Sequence, residues 1–182
     1  MKYTNEKIIE RFNNNETLKF LFFWGHQPNK DGSIGKSCFS QWWEASFEID
    51  GITYPTAEHY MMARKARLFK DEEILQKILI ATHPHDAKKL GRKVKNFTPE
   101  LWNEHKFNIV LEANYAKFSQ NETLKEYLVN TKGRIIVEAS PRDRIWGIGM
   151  GQSNEKAMNP NLWRGHNLLG YVLMEVRDQL NN

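Results

Sequence analysis

Tyr54-Pro55-Thr56-Ala57-Glu58-His59-Tyr60-Met61-Met62-Ala63-Arg64-Lys65-Ala66 is the stretch at which the chain changes period. Before it, residues 44–54 alternate loosely and turn at Asp50-Gly51, a pair suited to a tight hairpin. After it, apolar residues recur at helical spacing. Thr56 is a good N-cap behind Pro55, and the pattern predicts a helix to about Leu68. On that helix Glu58, Met61, Met62 and Lys65 share one face. A carboxylate and an ammonium on an otherwise apolar face admit two readings. Glu58 is either an acid near the positive end of the helix dipole or a partly buried carboxylate available for acid, base or cation-stabilising work. Lys65 is an anion hook, or an amine nucleophile where its pKa is lowered.

Outward from this helix, Asp71 opens a second one through Ala81, and a third is predicted from about Pro84 to Lys95. Thr98 followed by Pro99 begins a long helix to about Ser119, proline being favoured at the first helical position. Asn121 is expected to cap another through Val129. Arg134-Ile135-Ile136-Val137-Glu138 reads as a strand, residues 141–163 as mostly loop, and the last helix runs from about Asn167 to Leu180. Towards the N-terminus, residues 5–13 form an amphipathic helix with Ile8, Ile9 and Phe12 on one side. Residues 19–24 read as a buried strand that takes Phe22, Phe23 and Trp24 into the core, and Gln27 to Ser37 as an exposed loop. The expected fold is a helix-rich α+β domain with a few short strands. No repeat or linker divides it, so an N-terminal helical extension over 1–18 and one domain over 19–182 are expected.

Composition narrows the function classes. In 182 residues, 40% hydrophobic and 26% charged, the chain has the make-up of a folded globular protein. The longest apolar run, Phe20 to Trp24, is too short to cross a bilayer, and the N-terminus has no hydrophobic signal region, so no membrane association and a cytoplasmic location are expected. Cys38 stands alone, which excludes an internal disulfide and a thiolate metal cluster. No metal is expected at Glu58-His59 either, because the second histidine of a zinc helix is missing and His83, His85 and His105 do not supply the spacing. The net charge of +4 points weakly to an anionic partner. Its densest stretch holds Lys88, Arg92 and Lys95 along one face of the predicted third helix, a solvated face or a phosphate patch.

Two further clusters carry possible chemistry. In Glu138-Ala139-Ser140-Pro141-Arg142-Asp143-Arg144-Ile145-Trp146-Gly147-Ile148-Gly149, a strand ends and a loop follows bearing an acid, two arginines and a Trp. Asp143 either pairs with an arginine or other base, or acts in a site. The glycines here do not fit a dinucleotide fingerprint. In Trp163-Arg164-Gly165-His166-Asn167, Asn167 either caps the last helix or meets a substrate, and Trp102 is either core or a stacking platform.

These segments together resemble the NADAR (YbiA-like) family over about Phe20 to Leu180. The resemblance rests on Phe22-Phe23-Trp24, Tyr54 to Tyr60, Lys65-Ala66, Ala87 to Arg92, Trp102, Lys117-Phe118-Ser119-Gln120-Asn121, Glu138-Ala139-Ser140, Asp143, Trp146 to Gly149, and Trp163, Gly165, Asn167, Leu169 and Gly170. The loop over 25–41 departs from the family's shorter link, and Met61-Met62-Ala63-Arg64 stands where Gln-containing segments are common. The resemblance implies a YbiA-like fold and an N-glycosidase, a hydrolase of N-glycosyl compounds. The expected substrates are the phosphoribosylamino-pyrimidine intermediates of riboflavin biosynthesis, cleaved to ribose 5-phosphate and an aminopyrimidine. It also implies two alternatives: removal of ADP-ribose from guanine in nucleic acid, and a non-catalytic ADP-ribose-binding module. Under the first reading the partner is a small phosphoribosyl molecule, and nucleic acid enters only under the alternative. By the same resemblance Glu58 is the leading catalytic carboxylate, Asp143 the second acid or base, and Lys65 an anion hook or a covalent Schiff-base amine. Trp102 and Trp146 would stack on the heterocycle, Lys65, Arg92 and Arg64 would meet the phosphate, and Phe23 and Asn167 would line the substrate. No cofactor is implied.

Overall fold

In the computed structural model, which describes residues 1–181, the extended segments are short and the helices carry most of the chain. The described residues hold seven α-helices and four strands, a helix-rich α+β architecture as the sequence pattern predicts. They cluster into two compact units, one built from Met1–Ser40 and the chain from Glu122 on, the other from Gln41–Asn121.

The discontinuous unit is organised on two parallel strands, β1 (Phe20–Phe23) and β4 (Ile135–Glu138), in register from Phe20 opposite Ile135 to Phe23 opposite Glu138. Ile135, Ile136 and Val137 are all at most 1% exposed. An unbroken apolar run of this kind suits a strand covered on both faces. Helix α7 (Leu168–Leu180) packs on β4, and α6 (Glu122–Val129) packs on α7. Helix α1 (Asn5–Asn13), capped by Thr4, buries Ile8 and is tied down by Asn5, which donates to the Gly165 carbonyl (3.1 Å) and accepts from the Tyr171 hydroxyl (2.8 Å). Trp24 is not core as expected: it is 64% exposed. The paired register ends at Phe23, and Gly25 then turns the chain at φ +82°, so the residue after Phe23 leaves the sheet on the solvent side.

The continuous unit begins with the hairpin β2 (Phe47–Ile49) and β3 (Ile52–Tyr54), whose turn residues Asp50 and Gly51 both have positive φ (52° and 74°), as a type I′ turn requires. Its central element is α2 (Ala57–Leu68), against which α3 (Glu72–Leu79), α4 (Pro84–Gly91) and α5 (Pro99–Ser119) all pack. Every residue from Ala57 to Ala63 is buried, with Ala57, Ala63 and Ala66 fully so; the small side chains let three helices approach one axis. Tyr54, Tyr60 and Phe47 form an aromatic cluster, with the Tyr54 and Tyr60 rings edge-on at 5.0 Å.

Helix α4 stops at Gly91 rather than continuing to Lys95. A Cβ on Gly91 would lie 2.0 Å from the Met62 Sδ, so glycine sets how closely α4 meets α2. The Lys65 ammonium donates to the Gly91 carbonyl (2.8 Å) and closes the helix end. Lys88, Arg92 and Lys95 therefore do not share a helix face. Lys95 instead pairs with Glu73 (3.0 Å) and donates its backbone N–H to Asp71, the buried cap of α3 (2.8 Å).

Candidate active site

The expected site residues fall into two groups, one in each unit. In the continuous unit, the Thr56 hydroxyl accepts the His59 N–H (3.4 Å) and starts α2, which places Glu58 in its first turn. Glu58 is 2% exposed, and its own N–H donates to the Gln41 carbonyl (3.0 Å). A carboxylate at this depth is costly, and the positive end of the helix dipole offsets only part of that cost.

His59, beside it, is a brace. Its Nε2 donates to the Ala81 carbonyl (3.1 Å), which fixes the tautomer, and its Nδ1 accepts from the Thr56 hydroxyl (2.8 Å). Burial holds its pKa below the ordinary histidine value. The unfolded chain therefore takes up a proton near pH ~6.5 before the folded chain does. Its contribution to stability is full above that pH and is lost as pH falls through the lower folded value. Urea midpoints of the wild type should drop between pH 7.5 and pH 5, and His59→Gln should show a smaller drop from a lower starting midpoint. An unchanged drop in the variant would move the pH dependence elsewhere.

Lys65 lies two turns along the same helix, ~10 Å from Glu58 by helical rise. Its ammonium sits 4.2 Å from the centre of the Phe97 ring and 5.6 Å from that of Trp102, besides its bond to Gly91. Burial lowers its pKa. Cation–π contacts of this kind are worth ~0.5–2 kcal/mol each and keep the charge in place without a carboxylate. Trp102 is half-buried, so its expected role in stacking is joined by a seen one in holding Lys65. Arg92, exposed, follows Gly91 directly and stands next to the carbonyl that Lys65 binds. Arg64 is engaged elsewhere: it lies 3.9 Å from Glu112 and over the Tyr60 ring, whose hydroxyl also donates to Glu112.

In the discontinuous unit, Asp143 pairs with neither neighbouring arginine. Its Oδ1 accepts the N–H groups of Ile145 (2.8 Å) and Trp146 (2.7 Å), an Asx turn that sets where the half-buried Trp146 starts. Asn167 takes the N-cap position of α7 in the left-handed region (φ 52°), yet its side chain makes no capping bond. It is fully buried, accepts the Glu138 N–H (2.9 Å) and donates to the Ile136 carbonyl (3.0 Å), so it acts on the site by bracing the end of β4. Phe23 is likewise 1% exposed, edge-on to Phe39 at 5.5 Å, a core residue beneath the loop rather than a surface on offer to a ligand. The glycines of the loop are packing glycines. A Cβ on Gly147 would meet the Glu138 carbonyl at 2.8 Å, and one on Gly165 the Gly147 carbonyl at 2.2 Å.

Sequence reasoning gave no role to three buried polar residues of the continuous unit. Lys117 and Asn114 are fully buried on α5, and Gln41, 7% exposed, accepts a bond from the Asn114 amide (2.8 Å). The Gln41 Nε2 and the Asn114 Oδ1 have no protein partner. Lys117 also lies over the Phe118 ring at 5.1 Å. The signal was available: Asn114 and Lys117 each stand four residues on from the apolar Val110 and Ala113, polar positions inside a buried stripe.

The two parallel strands run so that Glu138 lies at the C-terminal end of β4 and Ser140 and Asp143 follow it, where open parallel arrangements usually carry their chemistry. The chain belongs to the NADAR domain family, whose model matches residues 22–181. It is 44% identical over 169 residues to an N-glycosidase of Acanthamoeba polyphaga mimivirus, covering 90% of this chain and 98% of the relative. The N-glycosidase YbiA of Escherichia coli is 34% identical over 144 residues, 79% of each chain. The NMR structure of that Escherichia coli protein superposes with a TM-score of 0.71 at 30% identity, covering 90% of this chain and 85% of the other. The riboflavin biosynthesis protein PYRR of Zea mays, a chloroplast protein, is 34% identical over 138 residues, 72% of this chain and 20% of that protein. N-glycosidases are hydrolases acting on N-glycosyl compounds. Among the described residues no helix is long and apolar enough to cross a membrane.

Proposed function

We propose that the chain hydrolyses the N-glycosidic bond of phosphoribosylamino-pyrimidines, releasing ribose 5-phosphate and an aminopyrimidine. The observation that carries this reading is Glu58, a carboxylate 2% exposed at the start of a helix that also holds Lys65 between aromatic rings. Relatives named N-glycosidases, and one named for riboflavin biosynthesis, support the reaction and the substrate class.

The chemistry asks for these groups. As the C1′–N bond breaks, positive charge builds on the ribose ring, and a buried carboxylate stabilises it far better than water can. The attacking water gives its oxygen to C1′ and one proton to a carboxylate, while the departing amine takes up a proton. Glu58 supplies the electrostatic and basic part. Lys65 and Arg92 bind the 5-phosphate as fixed cations, with Arg64 less available because Glu112 holds it. Trp102, beside Lys65, supplies a flat surface for the heterocycle.

Purified chain incubated with freshly made phosphoribosylamino-pyrimidines should release ribose 5-phosphate with saturation kinetics. A parallel arm with ADP-ribosylated guanine in DNA reads free ADP-ribose. Release in that arm alone would replace the proposed substrate, and release in neither would remove the glycosidase reading.

A further inference from the structure

A groove lies at the N-terminal end of β4. Its volume is about 350 Å³, and it is lined by Arg11, Lys19, Thr131, Lys132, Gly133 and Arg134 among others. The topology puts it there. β1 and β4 are parallel, Lys19 leads into the one and Arg134 into the other, and the Ile135 N–H donates to the Lys19 carbonyl (2.9 Å), joining the two lips. The four residues of β4 span ~10–13 Å, which separates this groove from Glu138 and Asp143.

Four cationic side chains converge on it. Arg11, from the last turn of α1, is paired with Glu16 (2.8 Å). Among the described residues Lys19, Lys132 and Arg134 form no ion pair, and all three are exposed. A fifth positive charge lies beneath: Arg177, 4% exposed, donates to the Thr131 hydroxyl (2.9 Å) and to the Arg134 carbonyl (2.8 Å). The turn that carries Lys132 and Arg134 is therefore held from below. Thr131 also donates to the Leu128 carbonyl (2.6 Å), and Lys132 sits in the left-handed region at φ 51°. The cations stand on a fixed turn rather than on a loose tail.

Like charges gathered on a concave wall raise the potential inside it and attract counter-ions there. Guanidinium and ammonium groups together match phosphate oxygens, and the volume falls within the ~300–1,000 Å³ usual for small-molecule sites. We propose that this groove is a second binding site that takes the phosphate groups of an anionic ligand through Lys19, Lys132 and Arg134. It is independent of the glycosidase reading.

The test is an amide NMR titration of the full chain with inorganic pyrophosphate, with ADP and with a 12-nucleotide single-stranded DNA. Saturable shifts at Thr131, Lys132 and Gly133 are expected with at least one probe. In Lys19→Glu/Arg134→Glu that affinity should fall at least tenfold, with the melting temperature and ribose 5-phosphate release unchanged. ADP binding without a response to DNA assigns the site to a nucleotide-like ligand. DNA binding that weakens steeply with salt, without a response to ADP, assigns it to a phosphodiester strand. Shifts that never saturate, or that are equal in the double variant, overturn the proposal. Loss of ribose 5-phosphate release in the wild type would instead count against the glycosidase alone.

Discussion

Glu58→Gln should fold, bind substrate and turn it over about a thousandfold more slowly than the wild type. Glutamine keeps the shape and one acceptor oxygen but not the charge. A single preorganised electrostatic or acid–base group is worth ~10²–10⁴ in rate, about 3–5 kcal/mol of barrier. Glutamine also keeps the volume of the side chain, so no cavity opens at the start of α2. The loss should appear in kcat with KM little changed, because the charge on ribose exists only in the transition state. Initial rates of ribose 5-phosphate release, with a melting curve alongside, provide the measurement. Undiminished kcat would take Glu58 out of the chemistry, and with it the observation on which the proposed reaction rests.

Gly170→Ala should have the largest effect on stability, and helix propensity alone gives the wrong sign. Alanine in place of glycine inside α7 favours the helix by ~1 kcal/mol. The added Cβ, however, would stand 2.1 Å from the Ile136 carbonyl oxygen and 2.6 Å from both polar atoms of the Asn167 amide. Neither neighbour is free to move: Ile136 lies in the buried strand, and Asn167 is bonded to β4 at two points. Helix α7 must back away, opening its contact with β4. Overpacking of this kind costs ~1–3 kcal/mol or more, so a net loss near ~2 kcal/mol and a melting temperature lower by ~4–8 °C follow for a chain of this size. A higher melting temperature in the variant would show that the helix has room to shift. Because Asn167 braces the end of β4 that leads to Asp143, activity should fall with stability.

Much of the framework was legible because it depends on short-range rules. Thr56 and Asp71 cap their helices through their side chains, Pro99 opens α5, and Asp50-Gly51 makes the hairpin turn. Each of these needs only the residue and its near neighbours. Thr98 shows the limit even here, since its helix starts where expected although its side chain makes no cap. The readings that changed all involve partners distant in sequence. Trp24 is exposed because the strand pairing ends one residue earlier. Helix α4 ends at Gly91 because Met62 and Lys65, about thirty residues before, occupy the space and the carbonyl there. Asn167 stands at the N-cap position as expected, but its side chain braces β4 instead of capping the helix, because β4 lies beside it.

The candidate site divides the same way. The sequence by itself determined which side chains are chemically able to act: an acid on an apolar helix face at Glu58, a lysine two turns on, and an acid in a Trp- and Gly-bearing loop at Asp143. Motif order also determined the family. Tertiary structure alone decided the state of those groups. Burial sets the depth of Glu58 and lowers the Lys65 pKa, Phe97 and Trp102 hold the ammonium, and Asp143 spends one oxygen on its own loop. The physical reason is one of range: caps, turns and periodicity act within a turn or two of chain, whereas desolvation, ring contacts and close backbone approach arise only between segments that folding brings together.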